Sequence, residues 1–142
     1  MTTRLPLDLS TFKTLREKGY LYVDKTQYAY DLITGGRRYF LSRPRRFGKS
    51  LFVSTLKEIL VGNKKLFDGL WIGSSDYVFE KHGVITLDLS AIKVDSVIDL
   101  NTGICSLLQD IADDYDLKIT LNPKKPDVAL RALVRAMYAR LG

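Results

Sequence analysis

The chain has 142 residues, 46% of them hydrophobic, and a formal net charge of +6 with a pI near 9.4, which is enough apolar material for one domain with its own core. It has no run of 18 apolar residues, and Met1-Thr2-Thr3-Arg4-Leu5-Pro6 lacks the apolar stretch of a secretory signal, so the sequence reads as cytoplasmic with no membrane association. The single Cys105 lies in an apolar helical context and reads as a buried small hydrophobe, and the single His82, before Gly83, has no cysteine cluster near it, which excludes a zinc site.

In chain order, residues 5–18 open with Pro6 and a Ser10-Thr11 cap and place Phe12 and Leu15 on one side, which predicts a short helix ended by Gly19. Tyr20-Leu21-Tyr22-Val23 is a compact β-prone run. Asp24 follows as an N-cap with Gln27 three residues on, in the pattern of a capping box, and a helix over 25–34 presents Tyr28, Leu32 and Ile33. After the turn signal Gly35-Gly36, residues 38–42 read as a short strand with Tyr39 and Phe40 in the core.

The run Arg43-Pro44-Arg45-Arg46-Phe47-Gly48-Lys49-Ser50 then has the character of a phosphate-binding loop. Such a loop wraps backbone N–H groups around a β-phosphate, sets a lysine on the β/γ oxygens and lends a hydroxyl to Mg²⁺. Gly48, Lys49 and Ser50 fit those roles, but the pattern G-x-x-x-x-G-K-[ST] asks for glycine where Arg43 stands, so the loop is a degenerate match. Pro44 fixes its own φ and pushes Arg43 towards extended geometry, so this loop leaves its strand in its own way. Phe52, Leu56, Ile59 and Leu60 recur on one helical face up to Gly62-Asn63, which places a helix N-terminus beneath Gly48-Lys49-Ser50. Asp24 and Lys25 have two readings, as a cap and a surface lysine or as groups that touch a nucleotide or another subunit.

Residues 66–72 supply bulky apolar groups in a turn-and-anchor segment, and residues 83–90 read as a near-continuous apolar strand of the buried parallel type. Helices over 97–115 and 128–141 follow, separated by Asn122-Pro123 and Pro126. Strand, loop, helix, strand, helix, helix implies right-handed crossovers and a mainly parallel sheet covered on both faces, an α/β fold of the three-layer α/β/α sandwich type. The whole chain, 1–142, reads as one domain, with a lead-in over 1–36 and a P-loop core over 37–142.

Three segments taken together, Tyr22-Val23-Asp24-Lys25-Thr26, then residues 40–51 with the Arg43–Ser50 loop, then Leu66-Phe67-Asp68-Gly69-Leu70, resemble the predicted AAA-ATPase-like family. In that family R-P-R-R-F-G-K-[ST] is the usual loop, so Arg43 matches the pattern. The resemblance implies an ATP-binding P-loop NTPase domain with a Walker A loop, in longer members often followed by a PD-(D/E)xK nuclease-like domain. It also implies that the chain is the N-terminal part of such a domain, ending before the acidic Walker B strand, with weak or no hydrolysis by itself. The site residues it implies are Arg43, Pro44, Arg45, Arg46, Phe47, Gly48, Lys49, Ser50 and Leu51 around ATP, with Lys49 in the catalytic role and Ser50 on Mg²⁺. Asp88 is a candidate second magnesium ligand, or else a hydrogen-bond acceptor or cap at a strand end. The alternative function is a non-enzymatic basic module: Arg37, Arg38, Arg43, Arg45 and Arg46 interleave with Tyr39 and Phe40 as in nucleic-acid binding, and a protein partner fits the same charge.

Overall fold

A computed structural model describes residues 5, 11–36, 38–42 and 44–141. They divide into two compact units, Met1–His82 and Gly83–Gly142.

The first unit is built on three helices. Helix α1, Phe12–Glu17, is six residues long and buries Phe12 and Leu15 completely. Thr11 stands at its N-cap without a side-chain bond, and the Phe12 amide instead donates to Ser54 Oγ at 3.0 Å. Gly19 ends the helix in left-handed geometry, as expected, while Pro6 and Ser10 of the predicted start lie outside the described residues. Helix α2 spans Thr26–Gly35 and α3 spans Lys49–Leu60. Short 3₁₀ turns over Lys64–Phe67 and Trp71–Ser74 drive Phe67 and Ile72 into the core formed with Phe12, Ala29, Ile59 and Leu70. Phe12 stacks on Phe67 at 4.8 Å between ring centroids and meets Tyr22 edge-on at 5.0 Å, arrangements that add to plain area burial.

Asp24 shows why α2 begins where it does. One carboxylate oxygen accepts from the Thr26 amide at 2.8 Å and the Thr26 hydroxyl at 2.7 Å, and the other accepts from the Trp71 amide at 2.7 Å. The Thr26 hydroxyl also accepts from the Ile72 amide at 3.1 Å, so two residues tie the start of α2 to the second 3₁₀ turn.

The second unit pairs α4, Val97–Asp114, with α5, Pro126–Leu141, around Cys105, Leu108, Ala112, Ala129, Leu133 and Met137. Ser96 caps α4 by accepting from the Asp99 amide at 3.1 Å while donating to the Asp99 carboxylate at 2.6 Å. Gln109 fastens the returning chain: its amide nitrogen donates to the Ile119 carbonyl and its oxygen accepts from the Leu121 amide at 2.8 Å. Burial raises the Cys105 thiol above its ordinary range, as suits a packed and protonated side chain.

The sandwich expectation is not met. Among the described residues there is no sheet: Tyr20 is an isolated bridge, residues 38–42 have no ladder, and residues 83–88 run without one into a 3₁₀ turn at Leu89–Ala91. The α/β class, the parallel sheet and the crossovers are therefore replaced by helices packed on helices. The physical reason is that β-prone composition becomes a strand only where a neighbour accepts and donates its backbone hydrogen bonds. Tyr39 and Phe40 follow the same correction, being 52% and 93% exposed instead of core residues. None of the helices among the described residues is long and apolar enough to cross a membrane.

Candidate phosphate-binding loop

The loop of the first unit turns at Arg45 and Arg46 and bends through Phe47 and Gly48 into α3. Arg43 lies outside the described residues. Gly48 is the N-cap in left-handed geometry at φ 75°, and Arg46 takes φ 66° despite its Cβ. Left-handed residues in a turn aim neighbouring N–H groups towards a common concavity. Lys49 and Ser50 are the first two residues of α3, the Phe52 amide donates back to the Gly48 carbonyl at 2.9 Å, and no side chain caps the helix. The first turn of any helix presents amides that lack intrahelical acceptors, and the macrodipole adds partial positive charge there. Arg45, Arg46, Phe47, Gly48, Lys49 and Ser50 are all exposed, whereas the half-buried Leu51 side chain packs against the core.

Cavities open on both sides of this loop. One, of about 410 Å³, lies between α2 and the start of α3 and is lined by Tyr28, Asp31, Leu32, Tyr39, Phe47 and Lys49 among others. The other, of about 340 Å³, is lined by Leu21, Tyr22, Val23, Arg46, Leu51 and Phe52 among others. Lys25, Phe47, Gly48 and Phe52 border both. Of the two readings of Asp24 and Lys25, Asp24 is occupied as a structural joint and Lys25 faces the loop's cavities. Burial pushes the Asp24 carboxyl up, but the amides of Trp71 and Thr26, the Thr26 hydroxyl and Arg16 outweigh it, leaving the carboxyl below its ordinary range.

The sequence reading left the α2 wall out of the site, although it placed Tyr28 and Leu32 on one helical face. The missing signal was Asp31, which helical spacing puts beside that face.

In the second unit Asp88 caps the Leu89–Ala91 turn. Its carboxylate accepts from the Ser90 amide at 3.0 Å and the Ser90 hydroxyl at 2.6 Å, bonds that hold it below the usual carboxylate range, the hydroxyl contributing most. Among the described residues no group of three or more His, Cys, Asp or Glu side chains is gathered to hold a metal ion.

The candidate site is thus a helix opened by Gly48-Lys49-Ser50 beneath an arginine-rich turn. The family model described as predicted AAA-ATPase matches residues 6–142, and the chain belongs to that family. It is also similar to an uncharacterized protein in the vnfD 5' region of Azotobacter chroococcum mcd 1, at 37% identity over 140 residues. That match covers 98% of this chain and 27% of the relative, so the chain spans about a quarter of the relative's length. No solved structure matches.

Proposed function

We propose that the chain binds ATP with Mg²⁺ at the start of α3. The observation that carries this reading is the opening of α3 itself: a left-handed Gly48 at the N-cap, Lys49 and Ser50 in the first turn and no capping side chain, in a chain of the predicted AAA-ATPase family. In this reading the loop of Arg43, Pro44, Arg45, Arg46, Phe47 and Gly48 surrounds the phosphates, the Leu51 amide joins the helix N-terminus, and Lys49 meets the β/γ oxygens and the charge that develops on them. Ser50 stands where a hydroxyl serves a nucleotide-bound magnesium ion, which would neutralise phosphate charge. Asp88, whose Oδ1 is engaged by Ser90, carries no role in this reading. The reading covers binding and assigns no water-positioning group for hydrolysis. A nuclease-like domain in a longer chain belongs to the same proposal.

Calorimetric titration with Mg-ATP, run beside Lys49→Ala, tests the reading. Saturable binding by the parent and its loss in the variant is the expected outcome. Unchanged affinity in the variant overturns the assignment.

One observation favours a second reading. Tyr39 and Phe40 stand exposed next to the exposed Arg38, in the same unit as the exposed Arg45 and Arg46, a mix of stacking and phosphate-contacting groups that a basic module binding single-stranded nucleic acid would use. Salt-dependent oligonucleotide binding that ATP displaces is its expected signature. Oligonucleotide binding that survives in Lys49→Ala but fails in Phe40→Ala separates it from the first reading.

A further inference from the structure

The cavity of about 410 Å³ between α2 and the phosphate loop has a lining that the loop reading does not use. It has the size of an ordinary small-molecule pocket. Three of its walls are aromatic rings left in solvent: Tyr28 is 66% exposed, Tyr39 52% and Phe47 62%. The ring pairs of the first unit join Phe12, Tyr22, Phe67 and Phe79, and Tyr30, Trp71 and Tyr77, and leave these three out. Core packing therefore does not account for them. Tyr39 is nonetheless set in place, because its hydroxyl fills the space where a Cβ on Gly35 would stand, and glycine at the end of α2 lets the ring close on that helix.

Charge on the α2 wall is divided. Lys25 borders both cavities and the loop, while Asp31 lies six residues further along, about 9 Å by helical rise. The lining thus joins a cation, a hydrogen-bond acceptor and aromatic rings to residues of the phosphate loop. A flat aromatic group joined to phosphate by a short polar linker matches that combination, and a nucleoside triphosphate is such a molecule.

We propose that this cavity seats the base of the nucleotide, stacked on Tyr28 and Phe47, and that Asp31 accepts a hydrogen bond from the 6-amino group of adenine. The proposal rests on the phosphate-loop reading above and adds to it the recognition of the base. With its carboxylate facing the 6-position itself and not the N1–H beside it, Asp31 favours a 6-amino purine over a 6-oxo purine, whose carbonyl oxygen brings a second acceptor there. Stacking supplies affinity that depends little on which purine is present.

Titrations of the full chain with Mg-ATP, Mg-ITP and Mg-tripolyphosphate, repeated for Tyr28→Ala and Asp31→Asn, test this. Both positions are exposed on α2, so neither substitution removes core packing. The parent is expected to bind ATP roughly tenfold or more tighter than tripolyphosphate, and roughly tenfold tighter than ITP. Tyr28→Ala should lower ATP affinity towards that of tripolyphosphate and leave tripolyphosphate unchanged. Asp31→Asn, whose amide can donate to a 6-oxo group, should erase the preference for ATP over ITP. If ATP binds no more tightly than tripolyphosphate, the base site is overturned while the phosphate loop stands. Equal ATP and ITP binding by the parent overturns the role of Asp31. If the parent binds none of the three, the phosphate-loop reading fails and takes the base site with it.

Discussion

At the scale of single residues, Asp24 does more than its place in the sequence promised. Its carboxylate joins the first turn of α2 to the backbone at Trp71, forty-seven positions away, through three donors. Since the folded carboxyl sits below its ordinary range, this stabilisation is present above the unfolded pKa and is lost as pH falls through the folded one. Asp24→Asn is expected to cost about 1 kcal/mol at neutral pH, because the amide has one acceptor oxygen for the work of two. The difference between variant and parent should shrink below about pH 4. Urea melts at pH 7 and pH 3 check both; an equal gap at the two values would show that the charge does not contribute. Arg46 is a residue of another kind, an arginine held at φ 66° where glycine would sit without strain. Under the phosphate-loop reading, its charge is the gain that offsets that cost.

At the scale of elements, α3 is bounded by glycines at both ends, with Gly48 at φ 75° and Gly62 at φ 82°. A Cβ at Gly62 would come within 3.3 Å of the Phe79 carbonyl, in backbone geometry that side chains rarely adopt. Gly62→Ala is therefore expected to destabilise by about 1–2 kcal/mol, read as a lowered midpoint of thermal unfolding. The helices were largely legible in the sequence for the reason these ends are. Their signals are local: the spacing of Phe52, Leu56 and Ile59, the stop at Gly62, and Pro123 ahead of α5 with Pro126 at its first position. The 66–72 anchor was legible too, because Phe67, Leu70 and Ile72 are the large apolar residues a core requires. The strands over 38–42 and 83–90 were misread, because β-prone residues state a preference and not a partner. The candidate site divides the same way. The start of α3 was visible as a motif, whereas the cavity beside it arises from Tyr28, Asp31 and Tyr39 meeting Phe47 across the first unit, which no local pattern encodes.

At the scale of the whole molecule, each unit has its own apolar cluster, centred on Phe12, Ile59 and Phe67 in one and on Leu108, Leu133 and Met137 in the other. Leu133→Ala opens a cavity in a fully buried position and is expected to cost about 3 kcal/mol. Hydrogen exchange should locate that loss in the amides of α4 and α5 and leave α1 to α3 protected as before; uniform loss across the chain would mean that the two units unfold as one. The segment 83–89 joins this scale to behaviour in solution. Val84 donates its amide to the Tyr115 hydroxyl at 2.9 Å, and that hydroxyl donates back to the Val84 carbonyl at 3.3 Å, so one phenol does for this residue what a neighbouring strand would do. Leu87 and Leu89 are exposed a few residues further on, with the Leu89 carbonyl accepting from the Ile92 amide at 3.3 Å. In Tyr115→Phe this pairing is gone, and the freed backbone groups of Val84 are open to water or to a strand of another molecule. Fibril-dye kinetics should then show a shorter lag than the parent's, and an unchanged lag would show that the Tyr115 hydroxyl does not restrain this segment.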